Sequence, residues 1–226
     1  MTHRARYALS GILVIAGLLL GLCPSDGHAA ASREQLIPIL GVTIEERHIV
    51  GTVANVIIGF EERTDQHGLA IVFRSSPGRF SRMAQTAIEQ AIYRTARAAA
   101  LVPDSWTITL SVPYSGVTIY GESLSAMVAL SVMALAKGDS IQPDRVMTGA
   151  IRPDGKIAPV GSVSLKVTAA NEAHMRRVLV PDELDLADGD WATPFLVQVS
   201  PVRSVTEAYL ALTDRPLRGV NPSLIP

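Results

Sequence analysis

Hydrophobic positions along the chain recur with two different periods, which predict strands in some stretches and helices in others. Between positions 37 and 60 the chain is rich in β-branched residues and interrupted by glycines, which predicts two or three strands. From 81 to 101 apolar residues fall at the spacing of one helical face, so a helix is predicted with Ser81 as its N-cap. The stretch 124–136 is apolar on all sides and ends at Gly138, which is typical of a buried helix.

The rest of the mature chain alternates short strands with two further helices. Helices are predicted at 163–175 and 204–212, a loop at 114–121, and strands at 68–74, 106–112, 145–151, 156–160, 177–180 and 195–199. The turn Pro153-Asp154-Gly155 joins two of these strands. Mixed strands and about four helices, with no internal repeat, predict an α/β (α+β) fold in a single compact domain over 32–226.

Residues 1–31 have a different pattern from the rest of the chain. Arg4 and Arg6 precede an uncharged run at 8–22, and small residues follow at 29–31. This order is typical of a secretory signal peptide cleaved near 29–31, and the run is short for a bilayer span. The interpretation predicts export to a periplasmic or extracellular space. An uncleaved anchor, with the domain outside the cytoplasm, remains an alternative, as does a lipoprotein at Cys23, although Leu22 is bulky for a lipobox.

Composition excludes several classes of protein. Hydrophobic residues make up 48% of the chain and charged residues 18%, which excludes a disordered chain. A net charge of -1 and 5% aromatic residues predict no nucleic-acid partner. A single cysteine excludes a disulfide framework. His48, His67 and His174 lack metal-ligand spacing, so neither a metal nor another cofactor is predicted.

One glycine-bounded segment, at 149–156, resembles a phosphate-binding loop. Its spacing is one residue too long, and Ile157 stands where Ser or Thr would bind magnesium. A hairpin turn is therefore the better interpretation.

Ser123 lies between the loop at 114–121 and the buried helix, a position with two possible roles. A serine at a helix start is most often an N-cap. The same position suits a nucleophile, because the first N–H groups of a helix have no internal partner and can donate to an oxyanion. Gly121 would let a substrate backbone come close.

A nucleophilic serine needs a base, and no histidine is an obvious candidate. The remaining question is whether a lysine can accept the serine proton. Of the three lysines, Lys137 ends a helix and Lys156 follows a turn. Lys166 instead falls in the first turn of a predicted helix among apolar residues. The helix dipole and desolvation both predict a lowered pKa there, as a general base requires. The alternative is a side chain that extends to solvent.

At these residues the chain resembles the proteolytic domain of the Lon protease family, the Ser-Lys dyad peptidases. The segment 121–125, Gly-Glu-Ser-Leu-Ser, is similar to the Gly-Asp-Ser-Ala-Ser of the archaeal, membrane-anchored branch. The family's Met-Thr-Gly is found at 147–149, ending at Gly149. Its Leu-Pro-x-Gly-Gly corresponds to 158–162, which contains Gly161, and Lys166 follows Ser123 by the family's 43 positions. Glu122, Leu124 and Ser162 depart from the family pattern.

The resemblance implies a Lon-type fold and an endopeptidase with Ser123 as nucleophile and Lys166 as base. It implies oxyanion donors near Glu122 or Leu124, and Thr148 as the residue that orients the lysine. Protein or peptide would be the substrate, and a ring-like homo-oligomer a further expectation. Only the N-terminal segment precedes the domain, so independence from ATP is expected. A membrane would be a partner only if that segment stays uncleaved.

Two other functions remain open at this point. The first is a non-enzymatic binding or assembly module that kept the fold, because a fold does not by itself grant activity. The second is a processing protease that acts on one partner or on itself.

Overall fold

The computed structural model describes residues 32–183 and 192–218. The predicted signal or anchor segment at 1–31 lies outside the described residues. Within the two described ranges, no helix has the length and apolar character needed to cross a bilayer.

The described residues form eleven strands and four helices. In chain order these are β1 (Arg33–Glu45), β2 (His48–Glu62), β3 (Ala70–Phe73), β4 (Arg79–Phe80), α1 (Arg82–Ala99), β5 (Trp106–Ser111), β6 (Thr118–Ile119), α2 (Ser125–Lys137), β7 (Arg145–Met147), β8 (Ala150–Ile151), β9 (Ile157–Ala158), α3 (Val163–Glu172), β10 (Arg177–Pro181), β11 (Gln198–Val202) and α4 (Val205–Thr213). Mixed sheets with four helices confirm the α+β prediction.

The largest sheet has the strand order β1-β2-β5-β3. β1 and β2 form a long antiparallel hairpin, whose two turn residues, Glu46 and Arg47, both have positive φ. A two-residue hairpin turn with positive φ at both positions is favoured, because the backbone twist of such a turn matches the twist of the flanking strands. β5 runs antiparallel to β2 and parallel to β3.

Helix α2 packs against this sheet, α1 packs against α2, and both helices contribute to the main core. Ser81 caps α1 as predicted, because its Oγ accepts the Ala84 N–H at 3.2 Å. α2 is buried from Ser125 through Leu135, which confirms a helix enclosed on all sides. The element that follows Ser123 is therefore held by packing around its whole circumference.

A second, smaller core lies under a parallel sheet of order β11-β10-β7. α3 packs against this core through Val163, Val167 and Ala170, and it also contacts β2. The side chains of Arg145 and Asp214 pair at 2.8 Å and tie β7 to the end of α4. The hydrogen bond from this guanidinium lowers the pKa of the Asp214 carboxyl.

The predicted strand at 145–151 is wrong, because two short strands replace it. β7 ends at Met147, after which the Thr148 N–H still donates to the Leu179 carbonyl of β10. The Gly149 N–H then turns to the Ser123 carbonyl, so the chain leaves the sheet. β8 pairs instead with β9, in a hairpin that shortens the predicted strand at 156–160.

Two predicted element boundaries and one predicted loop are also wrong. α3 ends at Glu172 rather than at 175, because His174 has the left-handed φ of +59° that ends a helix. The strand predicted at 195–199 begins only at Gln198, and Phe195 is 99% exposed. The loop predicted at 114–121 contains β6, which pairs with β4.

Candidate active site

A cleft of about 760 Å³ contains both Ser123 and Lys166. Its walls are the β1–β2 hairpin, the segment 114–124 that leads into α2, and the start of α3. Gly121, Glu122, Leu124 and Gly161 also line it. The fold thus brings together two residues that are 43 positions apart in the chain. Thr148 and Gly149 are not lining residues; they lie behind the Ser123 turn.

Ser123 lies in the turn that enters α2 and is half-buried. The helix begins at Ser125, its N-cap is Leu124, and no side chain caps it. The capping role that a serine usually has at such a position is therefore not the role of the Ser123 hydroxyl. The Leu124 side chain is 2% exposed and packs in the main core.

The Ser123 turn is held from behind by the segment 148–149. Its carbonyl accepts the Gly149 N–H at 2.8 Å and lies 3.4 Å from the Thr148 hydroxyl. The Ala126 N–H donates in return to the Gly149 carbonyl at 3.2 Å. Gly149 has no room for a side chain, because a Cβ there would lie 2.8 Å from Cγ2 of Ile157. These contacts fix the backbone of Ser123 without using its hydroxyl.

Thr148 is completely buried, and its hydroxyl reaches the Ser123 carbonyl. The structure therefore ties Thr148 to the predicted nucleophile's backbone. Its role in orienting Lys166 stays a prediction.

Backbone donors are available next to Ser123. The N–H of Ser125 donates to the Glu122 carbonyl at 2.9 Å, and that of Ala126 is used by Gly149. Across the described part of the chain, no carbonyl accepts the N–H groups of Glu122, Ser123 or Leu124. Gly121 has a φ of +83°, a conformation that favours glycine and turns this segment into the helix. Such N–H groups can stabilise an oxyanion.

Lys166 is 4% exposed, although it is a lysine in the first turn of a helix. Side chains of a helix point toward its amino end, and here the Nζ donates to the Gly161 carbonyl at 2.9 Å. The alternative of a side chain extending to solvent is therefore wrong. A helix amino end and a buried environment both disfavour a cation, so this site suits a lysine that acts as a base.

Histidine does not supply a base in this cleft. His48, His67 and His174 all lie elsewhere and are exposed. Among the cleft-lining residues that the structure describes, Lys166 is the one basic side chain. Lys166 is therefore the candidate base for Ser123 in this cleft.

The sequence did not identify the wall that faces Ser123 across the cleft. Thr52, Val53 and Ala54 of β2 line it, and Asn55 next to them contacts Tyr114 of the opposite segment. Asn55 could have indicated this wall from the sequence. Asparagine is depleted inside strands, and its side-chain amide needs a hydrogen-bond partner there.

Comparison with known proteins places the central part of the chain in one family. Residues 80–190 match the Lon protease (S16) C-terminal proteolytic domain. An archaeal Lon protease from Archaeoglobus fulgidus is 32% identical over 95 residues, 42% of this chain and 15% of the relative. Lon protease 2 from Sorangium cellulosum is 30% identical over 117 residues, 51% of this chain and 15% of the relative. The chain thus spans about 15% of the length of these relatives.

Proposed function

Since residues 80–190 of the chain belong to the Lon protease (S16) C-terminal proteolytic domain family, we propose that the protein is a serine endopeptidase. The names of its relatives support peptide-bond hydrolysis. The observation that carries the proposal is one cleft that is lined by both a serine with a fixed backbone and a buried lysine.

The proposed reaction begins when the Ser123 Oγ attacks a peptide carbonyl. Neutral Lys166 takes the hydroxyl proton, and the carbonyl oxygen becomes an oxyanion held by backbone N–H groups near Glu122 and Leu124. Collapse of this intermediate breaks the C–N bond, and the Lys166 ammonium returns the proton to the leaving amine. Water, deprotonated by Lys166, then hydrolyses the acyl-enzyme and frees Ser123.

The proposal includes export and independence from ATP. The arginines and uncharged run within 1–31 support export. The segment that resembles a phosphate loop folds as the β8–β9 hairpin instead of joining a strand to a helix, which supports ATP independence. Unfolded protein or peptide is the proposed substrate, and a ring-like homo-oligomer the proposed assembly.

Casein hydrolysis by Ser123→Ala tests the proposal. We expect a loss on the order of 10³-fold or more in rate with the fold retained, because the nucleophile is removed. Ser131→Ala is the matched control, since Ser131 is buried in the same α2 helix and donates only to the Met127 carbonyl. Adding ATP should leave the wild-type rate unchanged.

Unchanged hydrolysis by Ser123→Ala would overturn the assignment of the nucleophile. No hydrolysis by the wild type would favour the binding or assembly module. Stimulation of the purified chain by ATP would contradict the ATP-independent part alone.

A further inference from the structure

The Glu122 side chain directly precedes the proposed nucleophile and is exposed to solvent. Among the cleft-lining residues that the structure describes, Glu122 is the one acidic side chain and Lys166 the one basic side chain. Lys166 is buried, and its Nζ donates to the Gly161 carbonyl. No ion pair joins the Glu122 carboxylate to a basic side chain within the described residues. The cleft therefore presents a negative charge that this part of the chain does not neutralise.

The backbone at Glu122 is fixed, and the space beside it is open. The Glu122 carbonyl accepts the Ser125 N–H at 2.9 Å, which holds the residue in the turn that enters α2. On its other side Gly121 has a φ of +83°, and a Cβ built there would meet no atom within 4 Å. A substrate side chain can therefore approach the Glu122 carboxylate from the cleft.

A peptide that reacts with Ser123 must bring two of its residues close to Glu122. Consecutive Cα atoms are about 3.8 Å apart, so the carboxylate is attached one residue from the nucleophile. The reacting carbonyl carbon must lie about 3–3.5 Å from the Ser123 Oγ. The two substrate residues that flank the scissile bond are therefore within reach of Glu122 through a long side chain.

The surroundings of Glu122 make its charge matter when a substrate is bound. Six aliphatic side chains line the same cleft, those of Ile39, Leu40, Val42, Val117, Ile119 and Val160. A substrate that fills the cleft displaces water from the carboxylate, and an unpaired charge without water is costly. Attraction between opposite charges is also stronger beside apolar walls than in water. A cationic substrate side chain would offset this cost, whereas a neutral one would not.

We propose that Glu122 is a specificity-determining residue, which selects a basic side chain at one of the two substrate positions flanking the scissile bond. Arginine fits best, because its planar guanidinium can donate two parallel hydrogen bonds to a carboxylate. The substrate class is therefore a peptide segment with arginine, or less favourably lysine, next to the cleaved bond. This inference rests on the proposed function, because the selected residue must flank a bond that Ser123 attacks.

Peptides that contain either arginine or citrulline test the proposal, because citrulline has nearly the shape of arginine without its charge. The parent is a ten-residue peptide spanning the casein bond that the wild type cleaves most. Arginine or citrulline replaces the residue just before that bond in one pair of peptides and just after it in another. At one of the two positions we expect kcat/KM to be about tenfold or more higher for arginine.

Variants of Glu122 attribute this preference to its carboxylate. In Glu122→Gln, which keeps the size and loses the charge, the ratio of the two kcat/KM values should fall to about one. In Glu122→Lys the preference should reverse in favour of citrulline, because like charges repel. Glu89→Gln is the matched control, since Glu89 is exposed on α1 outside the cleft, and it should keep the wild-type ratio. An effect of Glu122 on the Lys166 base alone would change both rates equally and leave the ratio unchanged.

The outcomes separate this inference from the proposed function. Equal rates for arginine and citrulline at both positions in the wild type would overturn the inference and leave the peptidase proposal standing. A preference that persists in Glu122→Gln would show that another group selects the cation, which would also overturn it. Failure of the wild type to cleave casein would overturn both proposals.

Discussion

Lys166 is the residue whose position departs most from the usual behaviour of its type. Lysines are almost never fully buried without a partner, and cations are disfavoured at the amino end of a helix. Lys166 is buried near the amino end of α3, where its Nζ donates to the Gly161 carbonyl. Such a position destabilises the folded protein. Active sites retain a lysine of this kind where catalysis needs a neutral amine.

The proposed base predicts how activity depends on pH. A protonated Lys166 cannot accept the serine proton, so the rate should rise with pH as the ammonium is lost. Burial favours the neutral amine, so half the maximal rate should be reached below about pH 10.4, the ordinary pKa of lysine. The measurement is the pH profile of kcat/KM with a peptide substrate.

Lys166→Arg and Lys166→Ala should both be inactive, because arginine stays protonated and alanine has no base. Lys166→Ala should be as stable as the wild type or slightly more stable in urea unfolding, since burying a lysine amine costs desolvation. Lys156→Ala is the control, because the Lys156 side chain is 64% exposed. Near-wild-type rates in both Lys166 variants would exclude Lys166 as the base.

At the scale of secondary-structure elements, the contact between β2 and α3 positions this lysine. Gly51 of β2 lies so close to α3 that a Cβ there would be 1.9 Å from the Leu165 carbonyl oxygen. Leu165 directly precedes Lys166. The absence of a side chain at Gly51 is therefore what lets the start of α3 lie against the hairpin.

Gly51→Ala should displace the start of α3. We expect a loss of about 1–3 kcal/mol in the free energy of unfolding, as for other overpacked positions. The casein rate should fall on the order of tenfold or more, because Lys166 moves away from Ser123. Gly59→Ala in the same strand is the control, since its Cβ would meet Thr109 at an ordinary 3.5 Å. Equal stability and rate in the two variants would contradict the positioning role.

The sequence predicted elements whose signals are local and missed those decided by tertiary contacts. Ser81 and the apolar period of α1 were sufficient to predict that helix. The break at Thr148 and Gly149 was not predictable, because it depends on hydrogen bonds to Leu179 and Ser123, which are distant in the chain.

The candidate site also has features that the sequence predicted and features that it did not. Ser123 and Lys166 were predicted from their positions at helix starts and from the family resemblance, and the structure places both in one cleft. The burial of Lys166 could only be argued for in part, because the sequence does not show what covers a helix start. The Tyr114–Asn55 contact joins positions 59 residues apart, and no spacing rule indicates it.

At the scale of the whole molecule, the described domain follows a segment with the pattern of an export signal. A mature chain that has lost Cys23 would contain no cysteine, so an oxidising compartment would not cross-link it. A compartment of this kind also holds little ATP, which agrees with the proposed independence from it.

Sequencing the amino terminus of protein recovered from the producing cells tests export. We expect the mature chain to begin near Ala30, Ala31 or Ser32, since signal cleavage follows small residues. An intact Met1 on membrane-bound protein would support the anchor instead.

Covalent labelling of Ser123 tests the central claim most directly. A fluorophosphonate reacts with an activated serine hydroxyl, and mass spectrometry of the digested protein identifies the modified residue. We predict one adduct on Ser123, none in Ser123→Ala, and labelling slowed on the order of 10²-fold or more in Lys166→Ala, because the base is lost. Casein hydrolysis by a protein that carries no adduct on Ser123, or equally fast labelling in Lys166→Ala, would contradict the Ser123–Lys166 dyad.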